Sequence, residues 1–272
     1  MALGRSDVLL LAAFAALSAV SWIDDQYRLP PLARLAAHGL AVVAVLGSLP
    51  PDWRILPLPI ALERVLLGLA WIWFINLFNF MDGIDGLAGS EAIAIAFGYA
   101  AVATAARFET SLFEPSLLIA AACAGYLVWN WRPAKVFMGD AGSIPLGFVL
   151  GWLMIDLAYR GFWAAAVILP LYFLADATLT LLKRISAGEK PWRPHRSHFY
   201  QRAVLGGATP PSLVAHVAAT NALLVALALV SIWAPVSGLV GATAVVALLL
   251  VKMEHLARNR PAEGPAGPLP PT

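Results

Sequence analysis

The most constraining feature of this sequence is a series of stretches, 17 to 20 residues long, that carry almost no charge. Of the 272 residues, 60% are hydrophobic and only 12% are charged, whereas an ordinary soluble domain carries about 25% charged residues. A helix needs about 20 apolar residues to cross a hydrocarbon core of roughly 30 Å. The stretches therefore predict membrane-spanning helices and exclude a water-soluble fold.

These stretches predict an all-α fold, a polytopic integral membrane bundle of about nine transmembrane helices. We expect residues 1–258 to form a single transmembrane domain, and the Pro/Gly-rich residues 259–272 to be a disordered tail. The first stretch could pass for a signal sequence, but a second one follows directly and no small-residue cleavage site precedes Asp24, so we interpret it as a retained span. The predicted spans are 7–23, 35–50, 60–80, 91–107, 115–131, 142–159, 162–182, 211–233 and 236–256.

The distribution of basic residues predicts the orientation in the membrane. If the first span runs from outside to inside, 13 of the 18 lysine and arginine residues fall on the inner side. Because an excess of Lys and Arg in short loops marks the cytoplasmic face, the amino terminus is predicted outside and the carboxyl terminus inside. The net charge of +2 is spread over these loops, which argues against nucleic acid as a partner.

The densest polar cluster lies where the third span meets the cytoplasmic side. Asn76, Asn79 and Asp82 recur every three residues, which places them along one side of a helix end. Asp85 follows, with glycines after both aspartates that let the backbone turn sharply. Solvated residues at a helix end would explain a lone Asp-Gly, but two amides and two carboxylates at the edge of an apolar span favour a functional site.

A second acidic cluster, Asp24 and Asp25, ends the first span on the same predicted face. Adjacent aspartates are common in loops, so a solvated helix end remains an alternative here. Clustered carboxylates repel one another unless a cation neutralises them. A hard divalent ion with oxygen ligands is the expected cation.

The third cluster is the segment 137–143, Phe-Met-Gly-Asp-Ala-Gly-Ser, which follows Asn130 on the same face. Two glycines flank Asp140, and the backbone N–H groups of such a loop can meet phosphate oxygens. The segment lacks the Gly-Lys-Ser/Thr of a Walker loop. Phe137 could stack on a base or pack against the protein, and both interpretations stay open.

The fourth cluster is the basic segment 190–202. It contains His195 and His198 together with Arg193 and Arg196. A positive loop beside a membrane can attract anionic lipid headgroups. Paired Arg donors and histidines also suit a pyrophosphate. A zinc site is disfavoured, because no cysteine or carboxylate lies nearby in sequence.

Taken together, these motifs resemble the polyprenyl-phosphate N-acetylhexosamine-1-phosphate transferases, the superfamily that includes the phospho-MurNAc-pentapeptide translocases. The resemblance covers nearly the whole chain. The paired aspartates, Asn-Phe-Met-Asp-Gly-Ile-Asp-Gly-Leu-Ala, Phe-Met-Gly-Asp-Ala-Gly-Ser and the late histidine loop occur in the family's order. The resemblance implies a catalytic domain that transfers a sugar-1-phosphate from a UDP-N-acetylamino sugar to a polyprenyl phosphate. It also implies a location in the inner membrane of a bacterium, with Mg²⁺ as cofactor and Mn²⁺ as a substitute.

The resemblance also implies a role for each candidate residue. The metal would lie at Asp140 and Asp82, and the implied catalytic residues are Asp24, Asp25, Asp82, Asp140, His195 and His198. Asp24 and Asp25 would lie at the acceptor phosphate, and His195 and His198 would meet the diphosphate. The substrate-binding residues would be Asn76, Asn79, Asp85, Asn130, Phe137, Arg193 and Arg196, with Asn130 and Phe137 at the uridine.

Two departures from the family pattern refine these expectations. The late loop reads Pro-His-Arg-Ser-His-Phe-Tyr-Gln-Arg, whereas the peptidoglycan members show consecutive histidines, so the loop is more similar to enzymes that initiate O-antigen or other surface glycans. Family members usually have two further spans before the paired aspartates. We therefore expect either a start that was assigned too late or a shortened member. A homodimer is left open.

Other classes of protein explain fewer of these features. A membrane prenyltransferase uses Asn-x₃-Asp-x₃-Asp, whereas the spacing from Asn79 is Asn-x₂-Asp-x₂-Asp. A lipid transporter would explain Asp156 and Asp176 inside predicted spans, but it predicts polar residues near the bilayer midplane, and the clusters here gather at one face. An inactive relative would share the motifs. Asp176 also suits a structural partner for another helix.

Overall fold

The computed structural model describes residues 5–108, 110–190 and 195–258, and within these ranges the chain folds into eleven α-helices without a strand. This confirms the predicted all-α class. The predicted tail, 259–272, lies outside the described residues. The helices are α1 Arg5–Tyr27, α2 Pro31–Ser48, α3 Ile60–Phe80, α4 Leu87–Ala105, α5 Phe113–Asn130, α6 Gly139–Tyr159, α7 Trp163–Ile168, α8 Leu171–Ser186, α9 Phe199–Leu205, α10 Pro210–Val230 and α11 Pro235–Arg258.

Within the described ranges, seven helices are long and apolar enough to cross a membrane. They are α1, α2, α3, α4, α6, α10 and α11, and they match seven of the nine predicted spans. The chain is therefore a multi-pass membrane protein. The helix α5 matches the predicted span 115–131 and has 18 residues, but it falls short of the apolarity of the seven. Nine crossings thus stay a prediction.

The predicted continuous span 162–182 is wrong, because the structure divides it into α7 and α8. The break falls at Leu169 and Pro170. Proline lacks a backbone N–H and its ring clashes with the preceding turn, so a helix interior does not continue through it. The first turn of α8 consequently has N–H groups that need partners outside their own helix. Glu91 of α4, which is fully buried, lies against the backbone N–H of Phe173 in this turn.

The helix α6 is the centre of the bundle and packs closely on α3. The indole of Trp71 is 1% exposed, stacks on Phe148 with ring centroids 4.7 Å apart, and donates a hydrogen bond to the carbonyl of Phe148 at 2.8 Å. Gly151 lies against the same indole, since an added Cβ would approach Trp71 Cδ1 to 2.6 Å. Small residues at such contacts let membrane helices approach each other. The close α3–α6 contact fixes where the end of α3 and the start of α6 lie.

The neighbouring helices run in opposite directions, so the polar clusters collect at one end of the bundle. The ends of α1, α3 and α5 lie beside the starts of α2, α4 and α6 there, as the hydrogen bonds Arg34 to Asp24, Asn79 to Asp140 and Gly86 to Asn130 require. At the far end of α6, Asp156 accepts hydrogen bonds from Tyr99 Oη at 2.5 Å and from Arg160 Nε at 2.6 Å. Asp156 is thus a structural partner in the fold.

The α3–α6 contact gives a test of the packing. The substitution Gly151→Ala places a methyl group against the stacked indole of Trp71. We expect it to lower the unfolding free energy by about 1–3 kcal/mol. Gly125→Ala in α5 is the matched control, because no atom lies within 4 Å of an added Cβ there and alanine is the better helix former. Thermal unfolding in detergent measures both variants. Equal unfolding midpoints for Gly151→Ala and Gly125→Ala would show that a methyl group at position 151 does not disturb the packing of α3 on α6.

Candidate functional site

An open cleft of about 370 Å³ lies at the end of the bundle where the polar clusters meet. This volume is within the range of about 300–1,000 Å³ that small-molecule sites occupy. Arg28, which ends α1, adopts a φ of 53°, a left-handed conformation that is uncommon for a residue other than glycine. The lining residues are Asp24, Asp25, Arg28, Leu29, Arg34 and Asp140.

Arg34, in the first turns of α2, joins two of the acidic clusters. Its Nη1 lies 3.2 Å from Asp24 Oδ2 and 3.3 Å from Asp140 Oδ2. The carboxylate of Asp24 is 6% exposed and also accepts the backbone N–H of Leu29 at 2.6 Å. A single guanidinium therefore bridges two carboxyl groups that are 116 positions apart in the sequence. In the sequence, Arg34 is one of the basic residues that indicate the cytoplasmic side, and its position shortly after the paired aspartates, on the same face, is the signal that points to a role in the site.

Asp140 is also held by α3. Asn79 donates from Nδ2 to Asp140 Oδ1 at 2.7 Å and lies 2.8 Å from the Oγ of Ser143. Ser143 is fully buried and donates to the carbonyl of Gly139 at 2.9 Å. The amide of Asn79 thus fixes the orientation of the carboxyl group at the beginning of α6. The structure brings these two predicted residues together.

Asp25 faces away from its neighbour Asp24 and binds the beginning of α6. Its two carboxylate oxygens accept the backbone N–H groups of Asp140 at 3.1 Å and Ala141 at 3.0 Å. Gly139 has a φ of 60°, and an added Cβ would lie 2.9 Å from Asp25 Oδ2, so only glycine suits this position. The free N–H groups and the dipole of a helix start favour an anion. In this structure the carboxylate of Asp25 occupies that place.

Asp82 lies in the loop that joins α3 to α4 and is half-buried. Burial and then the nearby carboxylate of Asp140 raise the pKa of Asp82 to about 7. Negative charge is therefore crowded between these two side chains. In the part of the chain that the structure describes, no three His, Cys, Asp or Glu side chains are grouped to hold a metal ion. Mg²⁺, however, usually takes one or two protein carboxylates together with water and substrate phosphates, and the pair Asp82 and Asp140 fits that pattern.

The predicted substrate residues Asp85 and Asn130 organise the loops around the cleft. Asn130 is 3% exposed; its Oδ1 accepts the N–H of Gly86 at 2.8 Å and its Nδ2 donates to the carbonyl of Val136 at 2.9 Å. Asp85 accepts the N–H of Ala134 at 3.2 Å. Both side chains therefore connect the α3–α4 loop with the loop after α5. Their proposed contact with the nucleotide stays a prediction.

Two other predicted substrate residues lie at different depths. Phe137 is 73% exposed at the rim, where its ring is accessible to a ligand. Asn76 lies one turn deeper in α3 than Asn79, donates to the carbonyl of Ile72 at 2.7 Å, and lies 3.4 Å from Nδ1 of the buried His38. Asn76 and Asn79 both lie in the last turns of α3, whereas Asp82 lies beyond its end, and the two asparagines have different surroundings.

The late histidine loop forms a second part of the site. Arg193 lies outside the described residues, and Arg196 is exposed. The rings of His195 and His198 lie 4.9 Å apart, and Nδ1 of His195 lies 2.8 Å from Ser197 Oγ. Burial, with the neighbouring His198 and Arg184, lowers the pKa of His195 to about 4. His195 is therefore neutral at pH 7 in this state.

Tyr200 connects the two parts of the site. It stands two residues after His198, and its hydroxyl donates a hydrogen bond to the carbonyl of Phe80 at 3.2 Å, at the end of α3. Gly83 allows this contact, because an added Cβ would overlap the hydroxyl of Tyr200. The start of α9 is thus held against the loop that carries Asp82. The structure brings the acidic clusters and the histidine loop to the same end of the protein.

Comparison with known proteins identifies the family to which this chain belongs. Residues 8–158, more than half of the chain, match the family model described as glycosyl transferase family 4. A probable undecaprenyl-phosphate N-acetylglucosaminyl 1-phosphate transferase of Bacillus subtilis is 29% identical over 198 residues, which cover 68% of this chain and 54% of the relative. A phospho-N-acetylmuramoyl-pentapeptide-transferase of Streptococcus thermophilus is 37% identical over 118 residues, 43% of this chain and 34% of the relative.

A third relative is the decaprenyl-phosphate N-acetylglucosaminephosphotransferase of Mycolicibacterium smegmatis. It is 29% identical over 216 residues, which cover 68% of this chain and 53% of the relative. The chain thus spans about half the length of the Bacillus and Mycolicibacterium relatives. The matches confirm the resemblance that the motifs predict.

The raised pKa of Asp82 predicts how stability depends on pH. Because the folded protein binds this proton more tightly than the unfolded chain, the stabilisation is complete below about pH 4, the ordinary carboxyl range, and is lost as pH rises through about 7. As pH rises from about 4 to about 7, the unfolding free energy of the wild type should fall more than that of Asp82→Asn. The difference between the two falls should be at least about 1.4 kcal/mol.

Unfolding in detergent at a series of pH values measures this difference. Asp52→Asn is the matched control, since Asp52 is exposed in the loop between α2 and α3. Parallel curves for the wild type and Asp82→Asn would show that Asp82 does not carry this proton.

Proposed function

Because the chain belongs to glycosyl transferase family 4, we propose that it transfers an N-acetylamino-sugar-1-phosphate from a UDP-sugar to a polyprenyl phosphate such as undecaprenyl phosphate, releasing UMP. The observation that carries this proposal is the shared guanidinium of Arg34, held between Asp24 and Asp140 in an open cleft at one end of an apolar bundle. A lipid-linked phosphate arriving from the membrane meets a cation and three carboxyl groups there.

The main obstacle to this reaction is repulsion, because both substrates carry anionic phosphates. Arg34 offers donors to phosphate oxygens in addition to its carboxylate partners. The N–H groups of Asp140 and Ala141 at the start of α6 also suit an anion, but they donate to Asp25, so a phosphate would bind there only by displacing that carboxylate.

Mg²⁺ completes this neutralisation in the proposal, with Mn²⁺ as a substitute. Asp82 and Asp140 would hold it, and when bound it supplies positive charge to the diphosphate. Burial raises the pKa of Asp82 most, and the nearby carboxylate of Asp140 raises it further; this second, carboxylate contribution supports a cation at this place.

The simplest course of the reaction is direct transfer. An oxygen of the polyprenyl phosphate attacks the β-phosphorus of the UDP-sugar, and the bond between that phosphorus and the bridging oxygen breaks to release UMP. Asp24 or Asp25 keeps the attacking oxygen deprotonated, while His195, His198 and the arginines of their loop meet the diphosphate. A covalent aspartyl intermediate is the competing course.

The substrate subclass and the orientation belong to the same proposal. The separated histidines of the late loop favour initiation of an O-antigen-like surface glycan over transfer of a muramyl pentapeptide. The excess of Lys and Arg at the end that carries the site favours a cytoplasmic active site in a bacterial inner membrane. The uridine is expected near Asp85, Asn130 and Phe137, in the segments that follow α3 and α5.

An assay of UMP release tests the proposal. Purified protein in detergent is incubated with Mg²⁺, undecaprenyl phosphate and a panel of UDP-N-acetylamino sugars. We expect release that depends on lipid and on Mg²⁺, and a loss of at least about 100-fold in Asp140→Asn, because a group that stabilises developing charge is commonly worth that much. Asp52→Asn, in the exposed outer loop, should retain the wild-type rate.

Two results would contradict parts of the proposal. Folded wild-type protein that releases no UMP with any sugar in the panel would exclude the activity for this chain. Exchange of labelled UMP into the UDP-sugar without lipid would exclude direct transfer and support the covalent course.

A further inference from the structure

The carboxylate of Asp176 on α8 is fully buried and faces four hydrogen-bond donors. Its Oδ1 lies 3.0 Å from the backbone N of Phe199, 3.3 Å from Thr180 Oγ1 and 3.1 Å from Nδ1 of His198. Its Oδ2 lies 3.3 Å from the backbone N of Tyr200. Asp176 therefore binds the start of α9 and the side chain of the residue that precedes it.

This set of donors determines which nitrogen of His198 carries a proton. An ionised carboxylate only accepts hydrogen bonds, and the two backbone N–H groups can only donate. Nδ1 of His198 must therefore be protonated to share Asp176. His198 is only 3% exposed, so its ring is held in this orientation, and Nε2 is the nitrogen that remains for a ligand.

We infer that Asp176 is a positioning residue for the proposed transfer: it fixes the tautomer and orientation of His198 and supplies the charge that stabilises its imidazolium form. Nε2 then donates to an oxygen of the diphosphate when the UDP-sugar is bound. The inference rests on the proposed function, in which His198 meets that diphosphate. The logic is that of an aspartate that orients a histidine and stabilises its protonated form in hydrolases.

The other titratable groups around His198 act on it less directly. The ring of His195 lies 4.9 Å away, and the ring of Tyr200 stacks on His198 at 5.7 Å. Arg184 of α8 acts on His195 and is paired with Glu189 at 2.7 Å. Two more distant groups act through these neighbours. Tyr172 interacts with Asp176, and Asp82 interacts with Tyr200. Among these titratable groups, Asp176 is the one hydrogen-bonded to the ring of His198 in the described residues, and the backbone N–H of Gln201 also lies against the His198 side chain at the start of α9.

The role of Asp176 in holding α9 must be separated from its role toward His198. Asp176→Asn keeps the shape and a hydrogen-bonding side chain but removes the charge, and its amide can donate to Nδ1 and so impose the other tautomer. Thr180→Val is the matched control, because it removes one donor from the same carboxylate and leaves His198 untouched. Both variants are checked first for an unchanged unfolding midpoint.

The pH profile of kcat/KM for UMP release is the first measurement. Asp176→Asn removes the negative charge beside the ring of His198, so we expect its pH profile to differ from that of the wild type. We also expect kcat to fall at least about 10-fold, since a positioned acid or base contributes about 10²–10⁴-fold. Thr180→Val should keep the wild-type profile.

The second measurement does not depend on activity. Nitrogen NMR of protein labelled at its five histidines, with His198→Gln to assign the signal, reports the tautomer of His198. We expect a proton on Nδ1 in the wild type and in Thr180→Val, and a change in Asp176→Asn. A wild type without UMP release would refute the proposed function, while the NMR result would still decide the role of Asp176. An active wild type whose profile and tautomer are both retained in Asp176→Asn would overturn the inference alone.

Discussion

The structure depends on carboxylates that bind the first turn of a helix belonging to another part of the chain. The first N–H groups of any helix lack partners within it, so side chains or water must supply them. Asp25 accepts two such groups from α6, and Asp176 accepts two from α9. Glu91 lies against the start of α8, where Pro170 interrupts the preceding helix. Each contact replaces a solvent hydrogen bond and fixes where a helix begins. Because the proposed reactive groups stand at those beginnings, the same interactions that hold the fold also position the site.

The helices and the face that carries the site could be predicted from local patterns. Apolar length predicted the spans, and the excess of basic residues together with the acidic motifs identified one end of the bundle. The division between α7 and α8 was missed even though Pro170 is visible in the sequence, because a proline within a long apolar stretch is compatible with either a kink or a break. The structure shows a break, since Glu91, about 80 positions earlier in the chain, supplies a partner for the new helix start.

The sequence identifies most of the site residues, but it does not show which partner each side chain contacts. Asp24 and Asp25 are adjacent in sequence, yet one binds Arg34 and the other binds α6. The pairing of Arg34 with Asp140 joins residues 106 positions apart, and that of Asp176 with His198 joins residues 22 positions apart. No local spacing encodes such contacts. They follow from how α2, α6, α8 and α9 pack, which is why Arg34 was not selected and Asp176 was left open as a partner for another helix.

The two parts of the site are held in different ways, and this has a mechanistic consequence. The acidic part stands on α3 and α6, which are fixed by the buried indole of Trp71 against Gly151. The histidine part stands on the short helix α9, which meets α8 through Asp176 and α3 through the hydroxyl of Tyr200. Arg202 of α9 is also paired with Glu254 of α11, so the histidines are held by contacts to three other helices. A diphosphate bound between the two parts would interact with both at once, in positions that the fold has already set.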